Sequence, residues 1–242
     1  MAHGTYEQAY GSTGSGTMKE VPKSKRYALG WYHEGVTHLS IQEYEEAMAF
    51  FDKALSAIPD HPDFLVGKGD VLFAMGRFAE ALVLYQKSVV HDPENYKAWM
   101  QIGITLLKLE RYSDSLEVFR KLRSMNEYDG EVWLGLGISL FSLGQAMEAA
   151  DALKNAMRFK PNQPALYYYL ALAEQDDDAA LRLLLRGYRI DSSNLDIIVE
   201  LVNRLVKSGR KADAAAFFRK AKIIDPANPR VVALEDVVAK KT

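Results

Sequence analysis

The sequence predicts an all-α chain, an α-solenoid of stacked helix-turn-helix units with a C-terminal capping helix. Three recurrences predict it. A large residue is followed four positions later by a small one at Trp31–Gly35, Leu65–Gly69, Trp99–Gly103, Trp133–Gly137 and Tyr167–Ala171, with starts 34 residues apart. A sixth copy, Ile198–Val202, follows after 31 residues and is the one whose second residue is not small. Downstream in each unit, Ala47, Ala81, Ser115, Ala149, Ala180 and Ala214 precede by four residues Phe51, Tyr85, Phe119, Leu153, Leu184 and Phe218. A proline closes most units, at Pro59, Pro93, Pro161 and Pro226, with Glu127 and Ser192 in its place in the third and fifth. A fixed period of this length marks a repeat architecture, in which no single unit buries its own apolar face.

The units divide as residues 28–61, 62–95, 96–129, 130–163, 164–194 and 195–228. Each reads as two amphipathic helices, A and B, separated by a short turn such as "MGRF", "LERY", "LGQA" or "SGRK". Glycine and polar residues there end one helix and begin the next. The proline after helix B cannot continue a helix and redirects the chain. The fifth unit lacks three residues at its turn, "EQDDDAALR", so its helix A is expected to end near Gln175. Asp176, Asp177 and Asp178 there read as a solvated turn with an N-cap for helix B. Residues 229–242 supply the cap, with Val232, Leu234, Val237 and Val238 expected to cover the sixth unit. At the other end, residues 1–17 have the composition of a flexible tag or linker, and 18–27 form a lead-in that begins at Met18.

These residues resemble the tetratricopeptide repeat, whose unit has a large residue at position 4, Gly or Ala at 8, a small residue at 20, an aromatic at 24 and Pro at 32. The resemblance covers residues 28–228 and implies a right-handed superhelix with the A helices on its concave side.

Composition excludes several chemistries. The net charge of −2 gives no overall basic footprint for nucleic acid. There is no cysteine, hence no disulfide or thiolate site. No stretch approaches the length of a membrane span. His33 and His38 are five apart, off the spacing of one helical face, and His61 and His91 are expected to be exposed at inter-unit turns. The glycines of "VWLGLGISLFSLG" suggest a dinucleotide loop, but Leu140 stands where its third glycine belongs. No enzyme, metal or cofactor is expected. The cytoplasm is the expected compartment, or the periplasm if a signal sequence has been removed.

What remains is a surface for a partner. The resemblance implies that positions 2, 5, 6, 9, 12 and 13 of each A helix face the groove. Positions 5, 9 and 12 are Tyr32, Val36 and Leu39; Val66, Asp70 and Phe73; Met100, Ile104 and Leu107; then Leu134, Ile138 and Phe141. The fifth unit adds Tyr168 and Leu172, and the sixth Val199, Asn203 and Val206. An apolar stripe beyond the width that one buried helix face needs marks an interface. At position 6, Gly67 and Gly135 either open shallow pockets for large apolar side chains of a ligand, or reflect tolerated drift or tight packing against the next A helix, while the third unit has Gln101. The family members that clamp acidic chaperone C-termini use Lys, Asn and Arg at groove positions. Here Tyr32, Val36, Gly67, Lys97 and Gln101 depart from that set. The expected partner is therefore a protein or peptide with an apolar or amphipathic segment, bound by a non-enzymatic scaffold or chaperone-like adaptor. The alternative is self-association, with the groove taking a segment of another copy or the tail bearing Tyr6 and Tyr10.

Overall fold

A computed structural model describes residues 23–239, which form thirteen helices and no strand. Residues 1–22, including Tyr6 and Tyr10, lie outside the described residues. The chain divides into two compact units, Met1–Pro59 and Asp60–Thr242.

In the first unit, α1 (Lys23–Ser40) pairs with α2 (Tyr44–Ala57). α1 starts five residues before the position expected for the first repeat. Gly35 lets the helices close: a Cβ there would stand 3.0 Å from the buried Phe51 ring.

The second unit stacks five further hairpins: α3 (Pro62–Ala74) with α4 (Phe78–His91), α5 (Tyr96–Lys108) with α6 (Tyr112–Met125), and α7 (Gly130–Ser142) with α8 (Ala146–Phe159). Then follow α9 (Pro164–Ala173) with α10 (Asp177–Ile190), α11 (Leu195–Lys207) with α12 (Lys211–Ile224), and the final α13 (Pro229–Ala239). Within this unit each B helix packs on the next A helix, and successive A helices touch, α3 on α5, α5 on α7, α7 on α9 and α9 on α11. The position 8–24 pairing repeats: a Cβ on Gly69 would stand 2.6 Å from Tyr85, one on Gly103 2.9 Å from Phe119, and one on Gly137 2.6 Å from Leu153. Only the smallest residue allows that approach, and the large ring or leucine it admits is fully buried.

The A-to-B turns share one geometry. After α3, Arg77 N–H donates to Leu72 O at 2.8 Å and Gly76 N–H to Phe73 O at 2.9 Å, with Gly76 at φ +76°. The same pair of bonds closes α5, α7 and α11, using Glu110, Gly144 and Gly209 in the left-handed region. This double bond satisfies carbonyls that a helix end otherwise orphans.

The fifth hairpin has no room for it. α9 stops at Ala173, and Asp176 caps α10 by accepting from Ala179 N–H at 2.6 Å. Its helix-end carbonyl at Ala171 accepts from Glu174 N–H at 3.3 Å and, from the next repeat, from the Arg204 guanidinium at 3.2 Å. Arg204 also donates to Asp177 at 2.7 Å and to Glu200 at 2.9 Å, and Lys207 reaches Asp177 at 2.8 Å. A largely buried arginine thus ties the shortened turn to the next repeat.

α13 packs on α11 and α12 through Val231 and Leu234, both buried. Val232 is half exposed and Val238 partly buried, so the capping face is shifted from the expected set; the side chain of Val237 lies outside the description.

Candidate functional site

The A helices of the second unit frame a recess of about 440 Å³. Its walls come from successive A helices: Met100, Ile104 and Leu107 on α5, Leu134 and Ile138 on α7, and Tyr168 and Tyr169 on α9. Ile104, Leu107, Leu134, Ile138, Tyr168 and Tyr169 are partly exposed, as open-groove residues should be. Lys108 and Tyr112 stand at one edge, and Glu131, Gln163, Asn194 and Asp196 at the other.

Each wall residue follows from its helix register. Positions 5 and 9 lie one turn apart on the side of the A helix away from the position 8–24 contact. Stacking then sets the same positions of successive repeats side by side. Aromatic contacts extend the wall: Phe141 meets Tyr169 edge-on at 5.7 Å, and Tyr169 meets Tyr168 at 5.2 Å. Burial pushes the Tyr169 hydroxyl up to about 12 and raises Tyr168 as well, so both rings stay neutral at physiological pH. The two carboxylates at the edge are ion-paired, Glu131 with Lys160 and Asp196 with Arg230.

Several expected groove residues are more buried than an open groove implies, or lie outside the recess. Gly135 is buried, and a Cβ on it would stand 2.2 Å from Cζ of Phe119. The preceding B helix thus packs against position 6 through Phe119, and both Gly135 and Phe119 line the recess. Gly67 is buried too, as are Val66 and Val199, 1% and 3% exposed. Val199 belongs to the core formed with Leu181, Leu184 and Leu201, and Val206 joins it. Met100, 8% exposed, is the floor of the recess and packs with Leu116 and Phe119. Phe73 is half-buried against Phe78 at 5.1 Å, Leu172 is half-buried, and Asn203 is exposed.

Asp70, expected as a polar exception in the groove, is the centre of a network. It accepts from Tyr85 Oη at 2.8 Å, Gln101 Nε2 at 2.7 Å and Lys97 Nζ at 2.9 Å. These bonds tie α3 to α4 and α5, so Gln101 and Asp70 answer each other. On α1, in the other compact unit, Val36 is exposed while Tyr32 and Leu39 are half-buried, Tyr32 edge-on to Phe51 at 5.8 Å. His61, expected exposed, is half-buried and stacks on Phe64 at 4.0 Å, and desolvation lowers its pKa.

Tandem helix hairpins with a small-residue contact inside each pair, and a lined recess across their A helices, define a helical-repeat protein. The family comparison is specific. A family model described as tetratricopeptide repeat matches residues 100–164, and one described as anaphase-promoting complex, cyclosome, subunit 3 matches residues 40–122. The chain belongs to the tetratricopeptide-repeat family. No curated protein matches the sequence.

Solved structures carry the same fold. The hetero-tetramer Cut9–Hcn1 of the APC/C superposes with a TM-score of 0.79 at 17% identity, over 91% of this chain and 43% of that one. A tetratricopeptide repeat protein from Parabacteroides merdae gives 0.73 at 18% identity, over 88% and 84% of the two chains. Pseudomonas aeruginosa pilF gives 0.71 at 16% identity, over 88% and 98%. Among the described residues, no helix is long and apolar enough to cross a membrane.

Proposed function

We propose that this chain is a non-enzymatic scaffold or adaptor whose recess on α5, α7 and α9 receives an amphipathic helix of a partner protein. The observation that carries the reading is the set of partly exposed apolar side chains, Ile104, Leu107, Leu134, Ile138 and Tyr168, converging on one 440 Å³ space. Apolar surface so placed gains by excluding water, at about 25 cal/mol per Å² removed.

A helix fits better than an extended segment because of what the recess lacks. An extended peptide brings backbone N–H and C=O groups that must find partners when buried. Two nearby amides are engaged in the fold: Gln101 donates to Asp70, and Asn194 Oδ1 caps α11 by accepting from Ile197 N–H. A helix satisfies its own backbone and presents only side chains. Gln163, whose buried Oε1 has no protein hydrogen-bond partner, offers one polar anchor.

Selection from a random displayed-peptide library tests the reading. Wild type should enrich sequences with apolar residues three and four apart, and Leu134→Glu or Ile138→Asp should abolish that enrichment while the variants keep their helical content. Enrichment of alternating or proline-rich sequences, or of the same sequences by the variants, would sink the proposal.

A further inference from the structure

The near-neutral net charge conceals a strong separation of arginines. Among the described residues, Arg77, Arg111, Arg204, Arg210 and Arg230 are ion-paired. Every other arginine described with its side chain lies on a B helix of the second unit, with no carboxylate in ion-pair reach.

The separation is sharpest on α10. Arg182, Arg186 and Arg189 fall at i, i+4 and i+7, opposite the buried Ala180, Leu184 and Gly187, and all three are exposed. Like charges at i, i+4 weaken a helix. Favourable interaction with the helix dipole rewards a cation in the last turn, which accounts for Arg189 but not for Arg182 or Arg186. The only acids on α10, Asp177 and Asp178, are in its first turn, and Asp177 is held by Arg204 and Lys207. The Arg186 guanidinium lies over the Tyr167 ring at 5.0 Å, a cation–π contact that positions the charge without neutralising it.

The neighbouring B helices extend the patch. Equivalent repeat positions point the same way in stacked repeats. Arg158 on α8 and Ile223 on α12 take the position that Arg189 has on α10, and Arg219 stands one turn before Ile223. Asp151 takes the Arg182 position on α8 and is paired there with Lys154 at 3.2 Å. Ile223 is 84% exposed among these cations, and Ile190 beside Arg189 is 38% exposed. Cations spread over three helices with bare aliphatic side chains between them make a broad sheet of charge. An acidic peptide would need only one line of it.

We propose that the outward face of α10 and its neighbours α8 and α12 docks on an anionic lipid surface, with the arginines on the headgroups and Ile223 entering the interface. Arginine suits phosphate through its planar fork of donors, and each cation near an anionic membrane adds affinity. This face lies on B helices, away from the recess, so the two sites are independent.

Flotation of the full chain with vesicles of equimolar phosphatidylcholine and phosphatidylglycerol is the test. Wild type should float at low salt and be released as salt rises, and should not float with phosphatidylcholine alone. The triple variant Arg182→Gln, Arg186→Gln, Arg189→Gln should bind on the order of a hundredfold more weakly, from the loss of three surface cations. Its circular dichroism and peptide selection should stay unchanged. Ile223→Ser should cost less, about fivefold. Equal flotation of wild type and triple variant overturns the proposal. So does retention on poly-L-glutamate without flotation, which would assign the face to an acidic protein.

Discussion

The joint between the third and fourth repeats and the joint between the fifth and sixth hold helices together by opposite means. At the first, the Phe119 ring lies between Gly103 and Gly135, so one B-helix side chain fills two gaps in two A helices. Nothing in that contact is charged. At the second, where three residues are missing, Arg204 joins α11 to the end of α9 and the start of α10 through Ala171 O and Asp177. The contrast teaches that a repeat's turn can be shortened if the next repeat supplies the lost hydrogen bonds. Shape fixes one joint and directed polar bonds fix the other, so the two should fail under different stresses.

Phe119→Ala should break the apolar joint most severely, at about 3–5 kcal/mol of unfolding free energy. Gly135→Ala should cost about 1–3 kcal/mol by overpacking, despite the better helix propensity of alanine. Adding Phe119→Leu to Gly135→Ala should recover part of that loss in urea denaturation; additive losses would mean that the two sites do not touch. At the polar joint, Arg204→Met should cost about 1–3 kcal/mol, because Glu200 loses its partner while Asp177 and the Ala171 carbonyl each lose one of their donors. Its mark should be local: faster amide exchange in α9 and α10 with α5 and α7 unchanged. Uniform acceleration would show that the joints are not separable.

The smallest effect sharpens the contrast through pH. Hydrogen bonds from Lys207 and Arg204 hold the Asp177 carboxyl below the usual range. A depressed carboxylate contributes stability that is present above its unfolded value and is lost as pH falls through its folded value. Asp177→Asn should therefore lower the melting temperature at neutral pH, with the gap closing in acid below the ordinary aspartate range. A gap that persists in acid would mean that Asp177 acts through shape.

Much of this was legible in the sequence because the repeat enforces one solution several times. Position 8 against position 24 reads directly as Gly69–Tyr85, Gly103–Phe119 and Gly137–Leu153. Half of the recess was also legible, since Ile104, Leu107, Leu134 and Ile138 stand where the register put them. Gly135 was ambiguous because its neighbour, Phe119, is supplied by the preceding repeat, and a residue-by-residue register assigns that ring to Gly103 alone. Val199 was misplaced for a related reason: the register counted only helix B of its own repeat as its cover. Apart from the Glu200–Arg204 pair, the Asp70 and Arg204 networks join residues 15 to 33 positions apart, with no periodic signal to announce them. The arginines of α10 leave no trace in the net charge, which averages over faces.

Two indoles carry a consequence of their own. Trp99 Nε1 donates to Pro93 O at 2.8 Å, and Trp133 Nε1 to Glu127 O at 2.7 Å, each six residues back. Lys121 sits 3.6 Å over the first ring and Arg123 5.4 Å over the second, both cations from α6. Each tryptophan thus bridges a connecting segment of chain, its own A helix and the one B helix that lies between them. The molecule carries an indole on either side of α6 whose emission should report on the connection it is bonded to.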